Sequence, residues 1–342
     1  MSAIEPSLEI AAIVNDLRHV REQWRASQQR PREFGSRELP SADVLVQVVA
    51  GLRGALFPMR LGPPGLRQEN EDHYVGFTLD SALGALLGQV RLELAFERRP
   101  RSADDAAAIG GRAFEIVRDF GASLPRIREL LDTDVLAAFH GDPAAGTVDE
   151  VLLCYPGILA MIHHRIAHRL HQLGVPLLAR VVAELAHGET GIDIHPGATI
   201  GSGLFIDHGT GVVIGATARI GHNVRIYQAV TLGAKRFALD DDGHLQKGGA
   251  RHPIIEDDVV IYAGATILGR VTIGRGSSIG GNVWLTRSVP PQSRITQADV
   301  QASAQANAQA NAQADAQADA QADARAEAKA EAGAERLAAM PQ

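Results

Sequence analysis

The chain has 342 residues, 45% of them hydrophobic and 21% charged, enough for two domains with buried cores and a short appendage. Its net charge is −7, about four of it carried by the seven acids and three bases after Gln297, which excludes a nucleic-acid surface held by bulk positive charge. One cysteine excludes an internal disulfide framework, and neither an 18-residue apolar run nor a basic-then-apolar leader points to a membrane or to export, so a cytoplasmic protein is expected.

The first half reads as helical. Ile10, Ile13, Val14 and Leu17 fall at helix spacing, as do Val44, Val48, Val49 and Leu52, and then Leu83, Leu86, Leu87 and Val90. Ser102 opens a further helix with Asp104 and Asp105 in its first turn, where the helix dipole favours acids. Two closely joined helices follow, from Pro156 to about Leu173 and from Pro176 to about His187, with Gly174 breaking between them. Cys154, in the apolar run from Val151, reads as a buried structural thiol. After Gln297 alanine occupies every second position from Ala302 to Ala334, and so little large apolar surface predicts a disordered, solvated tail.

Between these segments the texture changes, and 19 of the 35 glycines lie from Gly188 to Gly281. Aliphatic residues recur every six positions at Ile194, Ile200, Ile206, then Ile214, Ile220, Ile226, Leu232, and again at Ile261, Ile267, Ile273, Ile279 and Leu285. A period of six suits short flat strands joined at corners, three sides making a triangular coil of about 18 residues whose stacking buries an aliphatic column. Two breaks interrupt it: two extra residues around Asp207-His208-Gly209-Thr210, and a polar loop from about Ala234 to Pro253. Functional residues concentrate in such departures.

The runs Gly191-Ile192-Asp193-Ile194-His195-Pro196-Gly197 and Phe205-Ile206-Asp207-His208-Gly209-Thr210-Gly211, with Arg251-His252-Pro253 after the loop, closely resemble the serine O-acetyltransferases. The likeness covers roughly Asp142 to Gln297. It implies an α+β chain in sequence order: an N-terminal all-α domain over 1–190, a left-handed parallel β-helix of hexapeptide repeats over 191–297 with the loop 234–253, and a low-complexity tail over 298–342. The implied reaction moves an acetyl group from acetyl-CoA to the hydroxyl of L-serine, giving O-acetylserine for cysteine biosynthesis. Serine is a poor nucleophile at neutral pH, so a base is needed, and imidazole suits the task. By resemblance His208 is that base and Asp193 orients it. Asp142 and Asp207 would take the serine ammonium, Arg251 its carboxylate with His252 beside it, and Gly233, Ala263 and Gly281 would let acetyl-CoA approach the backbone. Lys247, Arg270 and Arg275 are charges that could meet its phosphates.

No metal is expected. The family implies a homo-oligomer, a trimer or a dimer of trimers, with acetyl-CoA in a groove between neighbouring β-helices. Relatives often end in an isoleucine that inserts into O-acetylserine sulfhydrylase; this chain ends Met340-Pro341-Gln342, which argues against that partner. Nucleic acid and membrane are not expected partners. Three other readings stand beside the leading one: a hexapeptide acetyltransferase of another hydroxyl acceptor, a γ-carbonic-anhydrase-like metal hydratase using His195, His208 and His222, and a non-catalytic scaffold.

Overall fold

The structure, a computed structural model, describes residues 9–28, 39–98, 102–235, 243, 248–302 and positions 305, 309, 313, 317 and 321. Contacts divide the chain at Leu39/Pro40 into two compact units. Among the described residues the first holds one helix, α1 (Ile10–Ser27), none of whose residues is buried.

The second unit begins with α2 (Ala42–Leu56), the short α3 (Pro58–Leu61) and the long α4 (Glu71–Arg98), which packs on α2 and on α5 (Ala103–Gly121). Ser102 caps α5 as its sequence predicts, its hydroxyl accepting from the Asp105 N–H at 3.1 Å. Besides the one-turn α3, two helices went unread in the sequence: α6 (Leu124–Gly141), with Leu124, Ile127, Leu131, Val135 and Ala138 on its buried face, and the seven-residue α7 (Val148–Cys154). Then α8 (Pro156–Gln172) and α9 (Pro176–Thr190) form a tight hairpin, with Gly174 at φ +87° in its turn. The buried Glu93 of α4 caps α9, its two oxygens accepting from the Leu177 and Leu178 N–H groups at 2.9 and 2.8 Å. Cys154 corrects the sequence reading, because it is exposed. On so short a helix Val151 and Leu152 take the buried face, and Leu153 and Cys154 are left facing out.

From Asp193 the chain winds into a left-handed parallel β-helix of three sheets. The first sheet stacks β1 (Asp193–Ile194), β4 (Val213–Ile214), β7 (Thr231–Gly233), β10 (Thr266–Leu268) and β13 (Trp284–Leu285). The second stacks β2 (Thr199–Ile200), β5 (Arg219–Ile220), β8 (Ile254–Ile255) and β11 (Thr272–Ile273). The third stacks β3 (Phe205–Ile206), β6 (Arg225–Ile226), β9 (Val260–Ile261), β12 (Ser278–Ile279) and β14 (Arg294–Ile295). Up to β13 each strand thus pairs with the one three later, as a three-sided coil requires; β14 pairs with β12, because the second sheet's last side is reduced to a single bridge between Ile273 and Val289. All twelve hexapeptide aliphatics are buried, none more than 7% exposed. Between Ile226 and Val260 the coil detours through the 234–253 loop, part of which lies outside the described residues.

The helices are locked to the first coil by a buried ion pair. Arg165 of α8 meets the Asp134 carboxylate of α6 at 3.0–3.1 Å and donates to the Ile200 and Gly201 carbonyls at 2.6 Å each. Asp134 also accepts from the Leu204 N–H at 2.9 Å. Gly157 lets α8 approach closely, since a Cβ there would lie 2.2 Å from the Ile206 carbonyl oxygen. Residues 297–302 are helical, and most of the alanine-rich segment beyond lies outside the described residues. Among the described residues no helix is long and apolar enough to cross a membrane.

Candidate active site

The prism has three corners, and the candidate residues sort onto two of them. The corner between the third and first sheets carries Asp207 and His208 in the first coil, Tyr227 and Gln228 in the second, Ala263 in the third and Gly281 in the fourth. The two-residue insertion bulges there. His208, Gly209 and Gly211 all take left-handed conformations, at φ +59°, +84° and +78°. Only His208 carries a Cβ, so its backbone is held at a cost of roughly 1–2 kcal/mol. Its side chain is 70% exposed, which leaves the ring reachable by a substrate.

Around it lie two carboxylates and a guanidinium. Asp207 is buried, with one oxygen 2.9 Å from Arg225 and the other 3.8 Å from His208 Nδ1. Asp142 follows the last residue of α6; Tyr155 donates to its Oδ2 at 2.6 Å, and the Ala144 N–H to its Oδ1 at 2.8 Å. These bonds hold the Asp142 carboxyl below the usual carboxylate range, with Arg225 and His208 adding to the pull. The same contact pushes the Tyr155 hydroxyl up to about 12, so it remains a donor. Arg225 lies over the rings of Phe205 and Tyr227 at 4.9 and 4.7 Å, and Tyr227 stacks on Tyr262. Arg225 and Tyr155 were not singled out in the sequence. Arg225 is in register with Phe205, 20 residues earlier because of the two-residue insertion, and only the stacking of coils brings it against Asp207.

Asp193 opens β1 in the first sheet, beside Val213 of the strand that leaves the His208 bulge, and its N–H bonds the Val212 carbonyl at 2.9 Å. Among the described residues no hydrogen bond joins its carboxylate to His208. Glu184 and His187 of α9 and Asp193 instead bring one donor atom each within 4.8 Å of one another, with His187 Nδ1 at 3.1 Å from Glu184.

Arg251 and His252 stand at a different corner, between the first and second sheets, beside His195 and Thr217. The His252 ring is buried against Gly215, and its Nδ1 accepts from the Thr217 N–H at 3.1 Å and lies 2.8 Å from the Thr217 hydroxyl. An accepting Nδ1 leaves the proton on Nε2. Burial, with Arg251 and Arg270 nearby, lowers the His252 pKa and keeps the ring neutral. Burial likewise lowers that of His195 to about 4, helped by the cations around it. Gly233 ends β7 on this side of the first sheet. Arg270 is spent on the Thr217 and His252 carbonyls and Arg275 on Asp257, while Lys247 lies outside the described residues.

A prism side of about six residues spans up to roughly 20 Å. The carboxylate-and-histidine corner and the Arg251 corner of one chain stand on opposite edges of the first sheet. Both corners carry buried polar atoms without partners: Arg225 Nε and Gln228 Oε1 at one, Arg251 Nε at the other. His195, His208 and His222 occupy three different corners, so one chain does not assemble the metal site that the hydratase reading requires.

Residues 252–287 match the family described as bacterial transferase hexapeptide (six repeats). The chain is 58% identical over 265 residues to a plasmid-encoded serine acetyltransferase of Synechococcus elongatus, covering 77% of this chain and 83% of that one. It is 50% identical to the serine acetyltransferase of Mycobacterium tuberculosis over 47% of this chain and 66% of the relative. In three dimensions it is similar to Entamoeba histolytica serine acetyltransferase 1 in complex with L-cysteine, with a TM-score of 0.62 and 34% identity over 78% of this chain and 89% of the other.

Proposed function

We propose that this chain, which belongs to the serine acetyltransferase family, transfers an acetyl group from acetyl-CoA to the hydroxyl of L-serine at a site shared between two copies. The single observation that carries this reading is the His208 bulge: an exposed imidazole in a left-handed backbone, flanked by the carboxylates of Asp142 and Asp207. A serine ammonium fits between those carboxylates and brings its hydroxyl to the ring. His208 takes the hydroxyl proton as the serine oxygen attacks the thioester carbonyl. The new C–O bond forms, the C–S bond breaks, and the proton passes from the imidazolium to the departing CoA sulfur. The family resemblance gives Asp193 the role of orienting His208 and stabilising its charged form, which requires its carboxylate to turn to a ring it does not bond in this structure.

The substrate carboxylate belongs to Arg251, in a two-pronged bond, and to the Nε2–H of His252. Since these sit on another corner, they come from a neighbouring copy. An interface that joins two different corners is head-to-tail, and such contacts close into a ring where the rotation between copies closes. Three triangular prisms make the simplest ring. Val213, Tyr262 and Trp284 leave 38%, 43% and 60% of their surface exposed on and beside the first sheet, apolar area that a neighbour would cover. Ala263 and Gly281 stack below His208 on its corner and offer acetyl-CoA an open backbone. L-cysteine, which the Entamoeba relative holds, differs from serine only in its side-chain heteroatom and would compete for the same groups.

The test is thiol release from acetyl-CoA on addition of L-serine, with His208→Ala as control. A serine-dependent rate that falls about 10²-fold or more in the variant supports the reading. A rate with other hydroxyl acceptors and none with serine would move the substrate and leave the fold.

A further inference from the structure

We propose that α1 is one strand of a parallel, in-register, three-stranded coiled coil formed with the α1 helices of two other copies of this chain. Ile10, Ile13, Leu17, Val20 and Trp24 alternate at spacings of three and four, the a-d-a-d-a pattern of a heptad repeat. They are 56%, 49%, 51%, 59% and 55% exposed, so among the described residues this stripe finds no cover. An apolar seam of such even exposure on a helix with no buried residue needs a partner.

Charge selects the orientation. In this register Asp16 is a g residue and Arg21 the following e residue. Parallel helices set each g beside the next e of the neighbour, so Asp16 of every strand meets a partner Arg21. Antiparallel helices would instead set g against g, with Asp16 facing its own copy. Core shape selects the number. The d positions are β-branched, Ile13 and Val20, and Leu17 occupies a central a position. That combination disfavours two strands and favours three or more. Three is also the ring that the divided active site calls for; the copy number rests partly on that reading, whereas the seam and its orientation do not.

Eighteen residues, about two and a half heptads, make a short coil to stand alone. Tethered to a ring of copies, the helices would meet at an effective concentration of about a millimolar, which removes most of that difficulty. A parallel coil straps one ring together, whereas an antiparallel one would tie separate rings to each other.

The test uses the full chain with Cys154, its only cysteine, changed to Ser and Ile10→Cys added. Parallel strands bring like positions together, so oxidation at low protein concentration links copies through residue 10. Antiparallel strands place residue 10 opposite about residue 24, roughly 20 Å away, and give no link. Asp16→Arg in this background should slow cross-linking about tenfold, and Asp16→Arg with Arg21→Asp should restore it. Absence of the disulfide, or a rate that charge reversal leaves unchanged, overturns the proposal. Serine-dependent thiol release from the same samples distinguishes a failed coil from a failed assignment of the reaction.

Discussion

Arg165→Met removes the cation from a fully buried pair, and the structure sets both its cost and its pH dependence. Asp134 is 0% exposed and Arg165 6%, so solvent does not soften the loss. The change strands the carboxylate and also the Ile200 and Gly201 carbonyls that the guanidinium serves. Removing one member of such a pair costs about 3–5 kcal/mol. Burial already pushes the Asp134 carboxyl from 3.8 up to about 6, against the pull of Arg165. The native state therefore holds this proton more tightly than the unfolded chain, and stability falls as pH rises from about 4 to about 6. Without Arg165 the native pKa climbs further. The variant should then regain stability on acidification from about pH 8 to about pH 5.5, by up to about 1.4 kcal/mol per pH unit, where the wild type changes little until near pH 6. Asp134→Leu combined with Arg165→Met should be less damaging than Arg165→Met alone, because no charge is left buried. Urea unfolding at fixed protein concentration reads all three. A loss under about 1 kcal/mol, or one independent of pH, would refute the view that this pair locks the helices to the first coil.

His208→Gly should abolish serine-dependent thiol release yet raise stability by about 1 kcal/mol in urea unfolding, because glycine accepts φ +59° without strain. Tyr155→Phe frees Asp142 from its 2.6 Å donor, and initial-rate kinetics should show KM for serine rising about fivefold with kcat nearly unchanged. The depressed pKa of Asp142 keeps its charge, and its share of native stability, until pH drops below the ordinary carboxylate range; in a serine-affinity titration Tyr155→Phe should move that loss to higher pH. Gly157→Ala should destabilise the fold by about 3 kcal/mol or more in thermal unfolding, since the new methyl meets the Ile206 carbonyl at 2.2 Å.

The β-helix was legible because one rule, an aliphatic every six residues, governs a structure that repeats, and every position it named is buried. The bulge at Asp207-His208 and the loop after Leu232 were legible as departures from that rule. Other features were hidden for separate physical reasons. Arg225 looks like any outward-facing repeat residue until coils stack and bring it against Asp207. Asp134 and Arg165 lie 31 residues apart on two helices, and only packing joins them. Cys154 misled because an apolar run on a short helix does not say which members face in. The heptad in α1 was read as helix alone, since a single chain gives the seam nothing to meet. The division of the site between two corners was likewise beyond one-dimensional reading: Arg251 follows His208 in the chain, but the prism sets a whole side between them.

That division is the central claim, and mixing two disabled variants tests it most directly. His208→Ala and Arg251→Ala each spoil one corner, and co-expression in equal amounts yields rings containing both. Each site draws one corner from each of two copies, so random mixing should leave about a quarter of the sites intact and restore about a quarter of the wild-type serine-dependent rate. If the mixture is no more active than the average of the two variants alone, each chain builds its own site and the shared-site account is wrong.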